Sequence, residues 1–225
     1  MGEIRKPSQT SLTTTTLRLV LLNDTHQLHR EVDVPDGDIL IHAGDFTMFS
    51  ESMEVVADFN DWLGELPHRF KAIVPGNHET FLEADPSDRS LLSNATVLIN
   101  EGIKIEGLRL WGTPVTPMYG GAFGLSRAKD RKKLYAQIPL DTDVLISHGP
   151  PFGILDADPV SGLHQGCHEL LDVVIELRPK LHVFGHIHTA SGVFQTEQTT
   201  FVNAARLGLD QDPDEGPFVF EMTRR

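Results

Sequence analysis

Five short stretches of this chain carry side chains able to hold a metal ion: Asp24-Thr25-His26, Gly44-Asp45, Gly76-Asn77-His78-Glu79, Ser147-His148-Gly149 and Gly185-His186-Ile187-His188. Together they offer four imidazoles (His26, His148, His186, His188), two carboxylates (Asp24, Asp45) and one amide oxygen (Asn77). Mixed nitrogen and oxygen donors suit divalent ions such as Mn, Fe or Zn rather than a sulfur-seeking ion. Seven ligands are too many for one tetrahedral site. Two ions sharing a bridging carboxylate, Asp45, account for the number. Paired ions about 3.5–4 Å apart are a recurring device of phosphate-ester hydrolysis, clamping phosphoryl oxygens and producing hydroxide at neutral pH. Two divalent ions would also leave the site positive after both aspartates are counted, inside a protein of net charge −13. Because histidine ligands must be neutral to bind, metal affinity and activity are expected to fall below about pH 6.

These groups sit where strands should end. "LRLVLLND" (17–24), "DILIHAGD" (38–45), "FKAIVPGNHE" (70–79), "DVLISHG" (143–149) and "KLHVFGH" (180–186) are apolar runs closed by a polar or glycine residue. In an open α/β sheet ligands collect beyond the carboxyl ends of the strands, so donors far apart in sequence can converge. In an extended segment residues i and i+2 share a face. Asp24 with His26, and His186 with His188, could therefore each present two ligands to one place while Ile187 points into the core. Glycines 44, 76, 149 and 185 permit tight turns and close backbone approach.

Between Ser50 and Leu66 the residues Val55, Val56, Phe59, Trp62, Leu63 and Leu66 recur at helical spacing, with Phe59 and Trp62 on the buried stripe. A basic stretch at 126–137 and the apolar spacing of Leu170, Leu171, Val174 and Leu177 predict two further helices, the second stopped by Pro179. "IKIEGLRLWG" (103–112) reads as a hairpin turning at Glu106-Gly107, and the end of the chain is strand-rich. Strand and helix alternation predicts a sheet with parallel pairs and crossover helices. Residues 1–16, rich in Thr and Ser, read as a disordered lead-in, and 17–225 as a single domain. The acidic stretch 210–217 reads as a solvated loop.

Two Gly/Pro-rich stretches, 112–124 and 149–166, are long enough to bind or cover a ligand. Within them His164 is a candidate substrate contact, and Tyr119 and Phe123 could stack on a nucleobase or anchor the loop. Five of the eleven histidines belong to the motifs; for the other five besides His164 (His29, His42, His68, His168, His182) packing is the expected role. Thr25 and Asn203 are candidates for supporting the ligands. Cys167, at a helix start, could be acidified by it, though a packed thiol is the expectation.

A single cysteine excludes an intrachain disulfide and, with no apolar run of membrane-spanning length and no hydrophobic leader, points to the cytoplasm. The acidic balance supplies no basic stripe for a phosphate backbone, so a dedicated nucleic-acid partner is disfavoured. A small-molecule phosphoester is the expected partner, and oligomeric state is not legible.

The ordered set D-x-H, G-D, G-N-H-E, S-H-G and G-H-x-H resembles the calcineurin-like metallophosphoesterase superfamily, over nearly all of 17–222. "HAGDFT", "SHGPPFGILD", "GCHELL" and "RPKLHVFGHIH" are similar to its metallophosphoesterase-domain-containing (MPPED) phosphodiesterase branch. The resemblance implies a four-layer αββα sandwich of mixed sheets and two divalent ions, Mn2+ first, with Fe, Zn or Mg as alternatives. It implies that one ion takes Asp24, His26, Asp45 and His188 and the other Asp45, Asn77, His148 and His186. His78 is implied as the catalytic group that stabilises the phosphate and protonates the leaving oxygen, with a metal-bridging hydroxide attacking in line. One departure stands out. Phosphoprotein phosphatases of the superfamily read G-D-x-x-D-R-G, whereas this chain has Met48, Phe49 and Ser50 at the last three positions. The missing Arg would clamp a monoester dianion and the missing Asp would orient the catalytic His. A phosphodiesterase acting on a small diester such as a cyclic nucleotide is therefore expected. A phosphomonoesterase or protein phosphatase is the first alternative, and a metal-binding scaffold without useful catalysis the second.

Overall fold

The computed structural model describes residues 16–49, 52–117, 119–206 and 217–223. Strand β1 (Thr16–Leu22) pairs in parallel with β2 (Ile39–His42), β2 with β3 (Phe70–Ile73) and β3 with the short β4 (Thr96–Val97), while β11 (Phe218–Thr223) closes the other edge antiparallel to β1. The second sheet runs β5 (Glu101–Ile105), β6 (Leu108–Thr113), β7 (Val144–Ser147), β8 (Leu181–Phe184), β10 (Thr200–Asn203) and β9 (Gly192–Gln195), parallel through its centre and antiparallel at both edges.

The period-two alternation of the strands decides the layering. Leu17, Leu19 and Leu21 of β1 and Ile39 and Ile41 of β2 face Leu108 and Leu110 of β6, Val144 and Ile146 of β7 and Val183 of β8 in one apolar cluster between the sheets. The alternate residues Val20, Leu22, Leu40 and Ile73 pack outward onto α1 (Met53–Glu65) through Val56, Phe59, Trp62 and Leu63. On the far side Leu145, Phe184 and Phe201 meet Tyr135 of α3 (Ala128–Tyr135) and Leu170, Val174 and Leu177 of α4 (His168–Leu177). The result is the four-layer αββα sandwich. The inner strands are buried on both faces, which is why they read as continuous apolar runs.

Helix α1 is shorter at its start than the apolar spacing predicts, and Phe59 and Trp62 lie in the core as expected. The hairpin between β5 and β6 turns at Glu106 (φ 49°) and Gly107 (φ 91°), two positive φ values of the kind that match strand twist in a two-residue turn. The expected lead-in lies outside the described residues apart from Thr16, which begins β1, and the acidic loop lies outside them apart from Pro217. A five-residue helix α2 (Thr80–Ala84) follows the G-N-H-E stretch. Among the described residues no helix is long and apolar enough to cross a membrane.

Candidate metal centre

Parallel pairing brings the ends of β1, β2 and β3, and of β7, β8 and β10, to the same edge of the sandwich. Backbone hydrogen bonds then sew the turns together: Asp24 N–H donates to Gly44 O (3.0 Å), Gly185 N–H to His148 O (2.9 Å), and Asn23 bridges in parallel to Ala205. His186 N–H donates to Asp24 Oδ2 at 2.9 Å, linking one sheet to the other directly. A side chain at position 185 would run into the Asn23 amide and the Asp24 carboxylate, so only glycine lets the two turns approach.

The structure corrects the view that D-x-H and H-x-H work as extended segments. Asp24 (φ 52°), His26 (φ 41°), Asp45 (φ 54°) and His186 (φ 68°) all occupy the left-handed region, rare for residues with a Cβ and concentrated at functional sites. The chain turns sharply on leaving each strand. His186 and His188 are therefore aimed at two different places, although Ile187 between them is buried as anticipated.

Among the described residues three groups of donors lie within ligand spacing: Asp24 with His26 and His188, Asp45 with His148 and His186, and His26 with Asp45 and His78. In the first, His26 Nε2 lies 3.4 Å from His188 Nε2, which is 3.4 Å from Asp24 Oδ1. In the second, His148 Nε2 is 3.3 Å from Asp45 Oδ2, 3.2 Å from His186 Nδ1 and 2.9 Å from Asn77 Oδ1. All seven proposed ligands converge, and Asp45 stands between the two sets. Two of the other ring nitrogens are tied back: His148 Nδ1–H donates to Ala43 O (3.1 Å) and His26 Nδ1–H to Thr47 O (3.1 Å). Such outer bonds fix the tautomer that leaves Nε2 facing inward, as in metal-ligating histidines.

The electrostatics fit cations. Burial pushes the Asp24 carboxyl up, but the hydrogen bonding and charge of His188 outweigh it and hold the group below its ordinary range. Burial likewise opposes ionisation of Asp45, yet His148 keeps it well below the usual carboxylate range. His148, which burial alone would depress, is driven up to about 9 by Asp45. His188 is raised by Asp24 against the same opposition. The carboxylates thus demand positive charge and draw protons onto imidazoles in its place. His186 is lowered to about 4 by burial and by His148. Asp24 Oδ1 is buried, with His188 Nε2 3.4 Å away. Imidazole nitrogens facing one another and the Asp24, Asp45 and Asn77 oxygens at 2.9–3.4 Å make a donor set that divalent ions complete.

Two residues gained their importance only from the structure. Glu79, the last letter of G-N-H-E, is fully buried, and its carboxylate accepts from Asp45 N–H (2.8 Å), Gly76 N–H (2.7 Å), Thr47 N–H (2.9 Å) and Thr47 Oγ–H (2.9 Å). It clasps the two turns that carry Asp45 and Asn77. Burial and the Asp45 charge raise it to about 7 despite those donors. The other is Phe49, whose ring stacks on His78 (centroids 3.9 Å, 22°). His78 also meets the edge of His26 (4.7 Å) and donates its backbone N–H to Asp45 Oδ1 (3.0 Å), with Nε2 3.8 Å from Asp45 Oδ2. Aromatic packing thus holds an imidazole for which the sequence named no orienting partner.

The other candidates fall into place around this. Tyr119 stacks on His186 (4.1 Å, 19°) and its hydroxyl donates to Gln165 O, so it anchors one Gly-rich loop to the other and to the site. Phe123 packs against the outer core by α1. His164 lies apart from all three donor groups, its Nδ1 2.6 Å from the buried Asp156. Asn203 Nδ2 donates to Ile187 O (3.0 Å) and Leu155 O (3.1 Å), bracing the H-x-H turn, while Thr25 Oγ pairs with His42 Nε2 (3.0 Å). Cys167 is buried beside Glu169 and its thiol is pushed up by burial, an inert packed group. His42 and His182 are core residues.

The calcineurin-like phosphoesterase family description matches residues 17–190 of this chain. A UPF0046 protein of Caenorhabditis elegans is 35% identical over the whole chain and 81% of its own length. The human metallophosphoesterase domain-containing protein 1 is 37% identical over 91% of this chain and 71% of its own. Among solved structures, TT1561 of Thermus thermophilus superposes with a TM-score of 0.59 at 16% identity, covering 84% of this chain and 89% of that one, a likeness of fold alone. With its family and its converging donors both in hand, the chain belongs to the calcineurin-like metallophosphoesterases and is a metal-dependent phosphoester hydrolase.

Proposed function

We propose that this protein is a phosphodiesterase hydrolysing a small diester such as a cyclic nucleotide, at a centre of two divalent ions, Mn2+ in the first place. The observation that carries the reading is Asp45, standing between the Asp24–His26–His188 group and the His148–His186 group with Asn77 alongside. Asp24, His26, Asp45 and His188 would hold one ion, and Asp45, Asn77, His148 and His186 the other. Bound there, the ions supply charge against phosphoryl oxygens and acidify water. His78, partly exposed at the edge of the cluster, is assigned to hydrogen-bond the phosphate and carry the proton to the departing oxygen.

Diester preference is supported by what occupies the G-D-x-x-D-R-G positions. Phe49 takes the place of the Arg, putting an aromatic ring beside His78 instead of a cation suited to a dianion. We read 17–225 as one such domain and, from the lone buried thiol, as cytoplasmic. The test is hydrolysis of bis-p-nitrophenyl phosphate beside the monoester by metal-stripped protein titrated with Mn2+. Mn-dependent turnover preferring the diester, lost in His78→Ala and Asp45→Asn, is expected. Preference for the monoester would instead favour a phosphomonoesterase, and no turnover with two ions bound would favour a scaffold.

A further inference from the structure

We infer that Phe49 is a specificity-determining residue, selecting esters whose leaving alcohol carries a flat apolar body, such as an aryl group or a nucleobase, over small alkyl esters. The inference rests on the assignment of His78 as proton donor to the departing oxygen. Phe49 spends one face of its ring on His78, yet the residue is 55% exposed and the neighbouring Met48 40% exposed. Both stand in the segment directly after Asp45.

The exposure is not a by-product of the local chain. Phe46, three residues earlier, is wholly buried and stacks on Phe59 of α1 (centroids 4.2 Å, 7°), anchoring the segment without help from Phe49. Phe49 itself holds a left-handed φ of 55°, a conformation that costs a residue with a Cβ about 1–2 kcal/mol. The contact with His78 covers one face only, so a large apolar side chain is left strained and partly open to solvent, and such strain gathers where a ligand is met. Geometry defines the ligand. A departing oxygen must come within hydrogen-bond reach of His78, about 3 Å. The group attached to it then extends from the imidazole that Phe49 covers. A planar apolar body there buries the open part of the phenyl ring and gains an aromatic contact, whereas a methyl-sized group stops short of it.

The experiment compares two diesters of matched leaving-group acidity, one leaving as a naphthol and one as a small fluorinated alcohol. Both are assayed with Mn2+-loaded wild type, Phe49→Ala, Phe49→Trp and His78→Ala. Phe49→Ala should lower kcat/KM for both esters through the lost packing on His78, and about tenfold further for the naphthyl ester than for the fluoroalkyl ester. Phe49→Trp should retain or improve the naphthyl ester. Equal losses on both esters, or none on either, would overturn the inference. His78→Ala reports separately on the underlying assignment: full activity in that variant removes the proton-donor role itself, whatever the Phe49 series shows.

Discussion

Replacing Glu79 by Gln keeps the volume and shape of a fully buried side chain but changes what it can accept. Four donors converge on the wild-type carboxylate, two on each oxygen. An amide has one oxygen, so its NH2 must face either the Asp45 and Gly76 N–H pair or Thr47. Facing Thr47 is cheaper, because the hydroxyl can rotate to accept while only the Thr47 N–H is orphaned. An orphaned buried N–H costs about 1–3 kcal/mol and the lost charge assistance on the remaining bonds about 1 more, so Glu79→Gln should destabilise by roughly 2–4 kcal/mol. Because Glu79 fixes the backbone at Asp45 and Gly76, Mn2+ affinity should fall about 10–100-fold, the usual cost of losing an outer support. Urea unfolding of EDTA-treated protein reads the first effect and titration calorimetry the second. A variant within about 0.5 kcal/mol of wild type that binds Mn2+ equally well would refute the clasp.

Burial lowers His42 and His182 to about 3 each, which makes acid stability a test of the core. Between pH 6.5 and 3 the unfolded chain binds protons that these folded imidazoles refuse, so stability is fully present above about 6.5 and is lost as pH falls. From pH 6.5 to 5.5 the pair should cost about 2 kcal/mol, and His182→Gln should remove about half of that dependence in urea titrations at the two pH values; an unchanged dependence would refute the assignment. Gly185→Ala should abolish binding of two ions by metal analysis, whereas Gly153→Ala, which meets no atom but has φ +80°, should bind both and cost only about 1 kcal/mol. Equal metal content in the two variants would mean that the close approach at Gly185 does not matter. Asn203→Ala removes the bond that braces the H-x-H turn at Ile187 O together with those to Leu155 O and from Ala205 N–H, and should cost about 1–3 kcal/mol and weaken Mn2+ binding; unchanged calorimetry would show that the turn holds itself.

Much of the molecule was legible along the chain because it depends on local pattern. Continuous apolar runs placed the central strands, helical spacing placed Phe59 and Trp62 in the core, and Glu106-Gly107 announced its hairpin. The seven donors were legible because each stands just after such a run, where parallel pairing must gather them. What the residues alone could not decide is how each donor is aimed. The left-handed turns at Asp24, Asp45 and His186 arise from contacts between strands far apart in sequence, and they send His186 and His188 to different partners. Glu79, the last letter of G-N-H-E, had no role assigned to it until two distant turns supplied its donors. Phe49 looked like a missing arginine until its ring was found against His78. Donor types and strand order are properties of the sequence because they follow from side-chain chemistry and short-range periodicity. The division of ligands between two places and the support behind them belong to the tertiary structure, because hydrogen bonds and ring contacts depend on which remote segments share a turn.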